Sequence, residues 1–128
     1  MNFRSRALER FDTVSWPRIS ERVAEYTAAH YPAMADLVEA VRAGAADRLA
    51  GLTSMHDLGV TTTPVPAGGQ IDVIWVRPQP FGASGVADVL IEHWAASGWD
   101  ERVVRPGDQT VPLFWRFARE KWGIEPSR

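Results

Sequence analysis

The most constraining feature of this sequence is a run near its middle, Ile71 to Arg77, that is apolar on both faces of an extended chain. The residues Val73-Ile74-Trp75-Val76 within it are β-branched or aromatic, and such residues favour strands. A strand that is apolar on both faces must be covered on both sides. The run therefore predicts a central strand, and helices from elsewhere in the chain are expected to cover it.

Two helices are predicted before this strand. Ser15 is a suitable N-cap, and Pro17 fits the first turn, because an N–H at that position has no helical partner. The apolar stripe of this helix consists of Ile19, Val23, Tyr26 and His30. A second helix is expected to begin after Pro32 and to end at Gly51. Its stripe consists of Met34, Leu37, Val38, Val41, Ala45 and Leu49.

The second half of the chain predicts strands and helices in alternation. The β-branched run from Val60 to Thr63 is expected to form a hairpin with the central strand. Ser84 is then a suitable N-cap for a third helix that ends at Gly98. A strand from Trp99 to Arg105 follows, and a last helix is predicted from Thr110 to a stop at Gly123.

These elements predict an α+β fold in a single globular domain over residues 1–128. We expect a small mixed sheet of three to four strands covered by helices, in the order α-α-β-β-α-β-α. The strand, helix and strand over residues 71–105 have about the length of a crossover unit, so the two strands are expected to be parallel.

Composition excludes several classes of function. Fourteen basic and sixteen acidic residues give a net charge of −2, so no overall positive field would attract nucleic acid. The absence of cysteine excludes disulfides, thiolate metal sites and cysteine nucleophiles, and fits a reducing compartment. The N-terminal residues are too charged for a signal peptide, and the apolar runs are too short to cross a membrane. We therefore expect a cytoplasmic protein that binds neither nucleic acid nor membranes.

His93 is the first candidate catalytic residue. In the predicted third helix, its spacing from Val89 and Leu90 places the imidazole inside the apolar arc. If this helix packs on the central strand, His93 is expected to meet Trp75 and Arg77 there. The ring would then be a general base or a ligand contact, although a histidine buried with a hydrogen-bond partner is the competing interpretation.

A second candidate site lies in the loops. His56 and Asp57 are adjacent and offer an acid/base pair, although neighbouring residues rarely face each other. The stretch Gly82 to Gly85 precedes the predicted third helix, where free N–H groups, Ser84 and the nearby Arg77 suit a small anionic ligand. The three histidines have no metal-ligand spacing, so we expect no metal and no cofactor.

The six tryptophans suggest a binding surface. Trp99 and Trp115 stand beside polar neighbours at the starts of elements and are expected to be exposed, and tryptophan and arginine are enriched at interface hot spots. The preferred hypothesis is a binding protein that uses aromatic and arginine residues of its C-terminal half to hold a partner protein or a second copy of itself. The alternative is a small metal-independent enzyme with His93 or His56 as acid/base, acting on a small organic or anionic substrate. Small size and mild acidity are also compatible with a regulatory antagonist.

Overall fold

The computed structural model describes residues 10–66, 71–79, 87–96 and 100–127. The helices and strands within these ranges are α1 (Trp16–Tyr26), α2 (Pro32–Gly44), β1 (Leu49–Ser54), β2 (Asp57–Thr62), β3 (Val73–Gln79), β4 (Asp88–Trp94), β5 (Glu101–Pro106) and α3 (Thr110–Trp122), with a 3-10 turn at Gly107–Gln109. The strands form one antiparallel sheet in the order in which they occur along the chain. Among the described helices, none has the length and apolarity needed to cross a bilayer.

The central strand is the one that its two-sided apolar pattern predicts. β3 lies in the middle of the sheet, and Val73 to Val76 are all buried. Ile74 and Val76 contribute to the main core, whereas Val73 and Trp75 contribute to a second, smaller core. The two cores lie on opposite sides of the sheet because successive side chains of a strand point to opposite faces.

The last helix begins and ends where its local signals predict, and the first begins where predicted but ends at Tyr26, before His30 of the predicted stripe, and Tyr26 is 60% exposed. The Ser15 side chain accepts a hydrogen bond from the Arg18 N–H at 3.3 Å and so caps α1. α3 begins at Thr110 and ends before Gly123, whose φ of 65° lies in the left-handed region that glycine enters at little energetic cost. The buried stripes of both helices face the sheet.

The predicted second helix is too long. The observed helix ends at Gly44. Residues Leu49 to Gly51 belong to β1 and pair with residues Thr62 to Val60 of β2. The apolar spacing continued the helical stripe through Leu49, but the hydrogen bonds that decide the conformation come from β2. Gly51 has a different role from the predicted helix stop, because a Cβ there would lie 2.8 Å from the Trp16 ring. The glycine allows α1 to lie close against β1.

The predicted third helix is wrong, and this part of the chain contains β4. Val89 and Ile91 are buried on one face of the strand, and Glu92 lies on the other. The apolar group Val89-Leu90-Ile91 fits either period, so the pattern alone did not distinguish a helix from a strand. Hydrogen-bonded ladders to β3 on one side and β5 on the other decide in favour of the strand.

The predicted crossover is wrong for the same reason. β4 lies between β3 and β5 and is antiparallel to both, so the two predicted strands point in the same direction but do not pair, and the segment that joins them contains a strand of the same sheet and not a crossover helix. The fold is α+β as predicted, but the described sheet has five antiparallel strands, and the order is α-α-β-β-β-β-β-α.

The two faces of the sheet have different coverings. The helices pack on one face, which we call the helical face, around Leu58, Val60, Ile74, Val76, Val89 and Ile91. The opposite face, which we call the second face, carries the smaller core, and Phe11 and Val65 pack there. No described helix covers the second face, and its polar side chains form the candidate site.

Candidate functional site

The candidate site is centred on Arg77, which projects from β3 on the second face. Its guanidinium carbon lies 4.7 Å from the centroid of the Trp75 ring and 5.3 Å from that of Trp94. The two indole rings are 5.5 Å apart and tilted by 56°. Arginine is attracted to the faces of aromatic rings by cation–π interaction. The two rings therefore hold the guanidinium in one position over the sheet.

Two carboxylates complete the contacts of this guanidinium. Arg77 Nη1 donates a hydrogen bond to Asp57 Oδ2, and Arg77 Nε lies 3.2 Å from Glu92 Oε1. On β2, Leu58 pairs with Val76, so the preceding residue Asp57 lies opposite Arg77. Glu92 lies on β4, the other neighbour of β3. The sheet register thus brings an acid from each neighbouring strand to the arginine of the central strand.

Glu92 is the most enclosed charged group of the site. Its side chain is only 4% exposed. Besides Arg77 it has Arg102 Nη2 on β5 at 3.1 Å, and Trp94 Nε1 donates to it at 3.3 Å. Such donors offset the loss of hydration that a buried carboxylate suffers. Among the described residues, these two carboxylates and two guanidinium groups carry equal and opposite charge.

Trp75 has a close neighbour on β2. A Cβ at Gly59 would lie 3.0 and 3.1 Å from atoms of the Trp75 ring, so the ring occupies the space above that glycine. Trp75 Nε1 is buried and has no hydrogen-bond partner among the residues that the structure describes. The indole is therefore held by packing, and this packing fixes one side of the Arg77 site.

The environment shifts the protonation of Asp57. Burial raises the pKa of the Asp57 carboxyl above its ordinary value, and the charge and the hydrogen bond of Arg77 act in the opposite direction. The neighbouring His56 has other partners: its Nδ1 lies 3.1 Å from the hydroxyl of Thr27, and its ring lies 5.8 Å from that of Tyr31. The two adjacent residues therefore do not form the predicted acid/base pair, because they alternate in direction where the β1–β2 turn enters β2.

His93 lies on the other side of the sheet from Trp75 and Arg77. It is directly opposite Ile74 on β3 and is buried on the helical face, where its ring meets that of Trp122 edge-on at 6.4 Å. The predicted convergence of the three side chains is therefore wrong. A helix would have placed His93 toward β3 with its apolar neighbours, whereas strand alternation assigns it to the face opposite Trp75.

His93 has a polar partner in its buried position. Its Nε2 lies 3.4 Å from Asp72 Oδ2. Burial lowers the pKa of the imidazole, and the Asp72 carboxylate acts against this shift. This contact is an ion-pair distance and not a hydrogen bond, because Nε2 has no hydrogen-bond partner among the described residues, so the competing interpretation of a hydrogen-bonded buried histidine stays a prediction.

The remaining predicted ligand-binding residues do not join this site. Ser84 and Trp99 lie outside the described residues. Trp115 is partly buried and packs against the core, with its ring 5.3 Å from that of Phe114, so the prediction of an exposed indole there is wrong. Trp115 does not begin an element; it lies inside α3, between the buried Phe114 and the exposed Arg116.

Sequence reasoning missed three members of the site: Glu92, Trp94 and Arg102. The predicted third helix would place Glu92 at its polar edge and Trp94 in its apolar arc, so it gives no reason to group them. Reading residues 88–94 with a period of two would have placed Glu92 and Trp94 on one face. Arg102 would then follow from its position opposite Glu92 on the next strand.

Two concave regions lie outside this cluster. A cavity of about 330 Å³ lies between the start of α2 and one end of the sheet, and His30, Met34, Pro78, Asp88 and Asp108 are among its lining residues. An open groove of about 400 Å³ is lined by Arg22, Tyr26, Thr53, Met55 and His56. Across the described ranges, no three histidine or carboxylate side chains are grouped so as to hold a metal ion.

Comparisons of this chain with protein-family models, with curated proteins and with solved structures found no match. Its function is therefore inferred from its side chains.

Proposed function

We propose that this chain is a cytosolic binding protein that docks another polypeptide on the second face of its sheet, on the side of β4 and β5. The observation that carries this proposal is the position of Val104 beside Arg102. Both project from β5 on the second face, and Val104 is 51% exposed although it is aliphatic. Arginine is enriched at interface hot spots, and the exposed aliphatic side chain beside it adds apolar area that a partner can bury.

The network beneath these two residues supports the proposal. Arg102 bonds to Glu92, and Glu92 is held in turn by Arg77, which lies over the two indole rings. Groups that are already ordered lose little conformational entropy when a partner binds. The network therefore supplies a rigid base for the exposed part of the surface.

A polypeptide is a better partner for this surface than a polyanion. The charges of Arg77 and Arg102 are balanced by Asp57 and Glu92, and the whole chain has a net charge of −2. Binding of nucleic acid depends largely on uncompensated basic groups that replace counterions on phosphates. A protein partner needs no such excess of positive charge, because a whole protein–protein interface is only about as apolar as the rest of the surface and has a polar rim.

The alternative of a small enzyme has less support from the geometry. Its acid/base candidates His93 and His56 lie on the helical face and at the β1–β2 turn, whereas Arg77 lies on the second face. A general base and an anion-binding group must reach the same substrate. The described part of the chain does not bring these groups together.

The test is site-specific photo-crosslinking. A benzophenone side chain is placed at Val104, and a control chain carries it at Glu25, an exposed residue of α1. The proposal expects one defined protein to be crosslinked at position 104 and not at position 25. That protein is then purified and titrated against the unlabelled chain, because capture alone does not establish binding.

The titration includes a matched pair of variants. Val104→Asp is expected to weaken binding at least tenfold, since it replaces the apolar anchor by a charge. Met55→Asp also replaces an exposed apolar side chain, 90% exposed, but lies at the β1–β2 turn, so binding should be unchanged. Equal affinity of both variants, or equal crosslinking at positions 104 and 25, contradicts the proposal.

A further inference from the structure

The strand β5 is an edge of the sheet with backbone groups that β4 does not use. The Gly107 N–H donates to the Ala87 carbonyl at 3.0 Å, and these two residues are directly opposite in the β4–β5 register. Hydrogen-bonded and non-hydrogen-bonded pairs alternate along an antiparallel ladder. Glu101, Val103 and Arg105 therefore point their backbone groups toward β4, and Arg102 and Val104 point theirs away from the sheet.

A side-chain contact supports this assignment. Arg105 Nη1 donates to the Val104 carbonyl at 2.8 Å. This carbonyl is thus satisfied by a side chain and is accessible from the edge. On the opposite edge of the sheet, the Val14 N–H already donates to the Gly51 carbonyl on β1 at 2.8 Å. Of the two edges, β5 offers the longer free stretch in the described part of the chain.

We infer that β5 pairs with β5 of a second copy of this chain, antiparallel, about a two-fold axis at Val103. In this register Arg102 of each copy is opposite Val104 of the other, and the edge-facing N–H and C=O groups of both residues pair. Glu101 of each copy is opposite Arg105 of the other. All of these pairs have side chains on matching faces, as an antiparallel ladder requires.

The charges of the strand favour this register. Charged residues on an edge strand usually prevent such pairing, and like charges directly opposite each other are unfavourable. Here the two-fold places an acid opposite a base on both sides of the axis. In one alternative register the two-fold axis passes through Arg102. That register places the Arg102 side chains of the two copies opposite each other, so repulsion disfavours it. Pairing also gives the Val104 carbonyl a backbone donor and frees Arg105 for Glu101 of the second copy.

This inference concerns the β5 edge and goes beyond the docking surface proposed above. Lys121 Nζ lies 2.9 Å from Glu101 Oε2 within one copy, and this contact leaves the other carboxylate oxygen for the second copy's arginine. Dimer formation would extend the sheet across the axis. It would also place the second faces of the two copies next to each other.

A charge-swap experiment tests the register. The single variants Glu101→Arg and Arg105→Glu each place like charges opposite each other in a homodimer, so each is expected to raise the dimer dissociation constant at least tenfold. The double variant Glu101→Arg with Arg105→Glu restores opposite charges and should dimerise as the original chain does. Sedimentation equilibrium measures the constants, and circular dichroism verifies that each variant is folded.

Mixing the two single variants gives the sharpest outcome. The Glu101→Arg chain carries a base at both positions, and the Arg105→Glu chain carries an acid at both. In the mixed dimer every base therefore faces an acid, so heterodimers should form although neither variant dimerises well alone. Native mass spectrometry distinguishes heterodimers from homodimers by mass. A monomeric original chain at 100 µM, or a mixture without heterodimers, overturns the inference.

A second pair of variants tests the backbone pairing. Val104→Pro removes an N–H that faces away from β4, so it should abolish the dimer and leave the fold intact. Val104→Thr retains this N–H and should dimerise normally. Equal dimerisation of both variants overturns the pairing. Arg105→Glu leaves Arg102 and Val104 unchanged, so a monomeric Arg105→Glu chain should still bind the crosslinked partner. Dimer formation and partner binding can therefore fail independently, and the two failures are distinguishable.

Discussion

Arg77 Nε and Glu92 Oε1 are 3.2 Å apart on the second face of the sheet, and the Glu92 side chain is almost completely enclosed. The pair joins the central strand to β4, and its other partners extend it to β2 through Asp57 and to β5 through Arg102. A single arginine thus connects charges that come from separate strands.

Replacing Arg77 should destabilise the protein strongly. Arg77→Met keeps the length of the side chain over the indole rings but removes the guanidinium that contacts both Glu92 and Asp57. Removing one partner of an enclosed ion pair costs about 3 kcal/mol. Urea unfolding measures the free energy of unfolding. As a control, Arg116→Met removes an exposed i,i+4 pair with Glu120 and should cost less than about 1 kcal/mol. Equal losses for both variants would show that the Arg77 network contributes no more than a surface pair.

Gly59 and Trp75 should behave as a coupled pair. Gly59→Ala places a methyl group about 3.0 Å from the Trp75 ring and 3.2 Å from Leu52, so we expect a loss of about 1–3 kcal/mol from overpacking. In the double variant with Trp75→Leu, the closest ring atoms are absent. Its loss in the free energy of unfolding should therefore be smaller than the sum of the losses of the two single variants. Urea unfolding of the four chains gives the coupling free energy. Strict additivity contradicts the contact.

Stability should fall as the pH is lowered through the unfolded pKa of His93. Burial lowers the pKa of this imidazole in the folded protein from its ordinary 6.5, so below that value the unfolded chain takes up more protons than the folded one. The contribution of His93 is therefore full above pH 6.5 and decreases as the pH falls toward the folded pKa. The charges of Asp72, Asp100 and Lys121 also affect the pKa of this ring, and the test leaves all three residues unchanged.

The measurement for His93 is the free energy of unfolding between pH 5 and pH 8. His93→Gln has no titrating ring, so its stability should depend less on pH over this interval than that of the original chain. If the two chains lose stability in parallel, the pH dependence arises from other groups.

Gly44 should hold the C-terminal segment against α2. A Cβ at Gly44 would lie 2.8 Å from Pro126 Cβ, and the Gly44 carbonyl accepts from Ser127 N–H at 2.8 Å. Helix propensity alone predicts that Gly44→Ala gains up to about 1 kcal/mol. Because of the contact, we expect instead a loss of about 1 kcal/mol or more and faster amide exchange at Ser127. Gained stability with unchanged exchange would contradict this packing.

Local signals in the sequence determined several elements of this protein. The two-sided apolar run marked β3 as central, because a strand that is apolar on both faces can be recognised from its own residues. Ser15, Thr110 and Gly123 marked helix ends through contacts with the nearest turn. These predictions succeeded because the groups that interact are only a few residues apart.

The tertiary structure alone decided β1, β4 and the site. Leu49 and Val89 to Ile91 fit a helical and an extended period equally well, and only ladders to distant strands chose between them. That choice set the face of every side chain on β4: it turned His93 toward α3 and Glu92 toward Arg77. Asp57, Arg77 and Glu92 come from three strands, so no spacing along the chain marks them as neighbours. Their association depends on register, which is fixed only when the whole sheet forms.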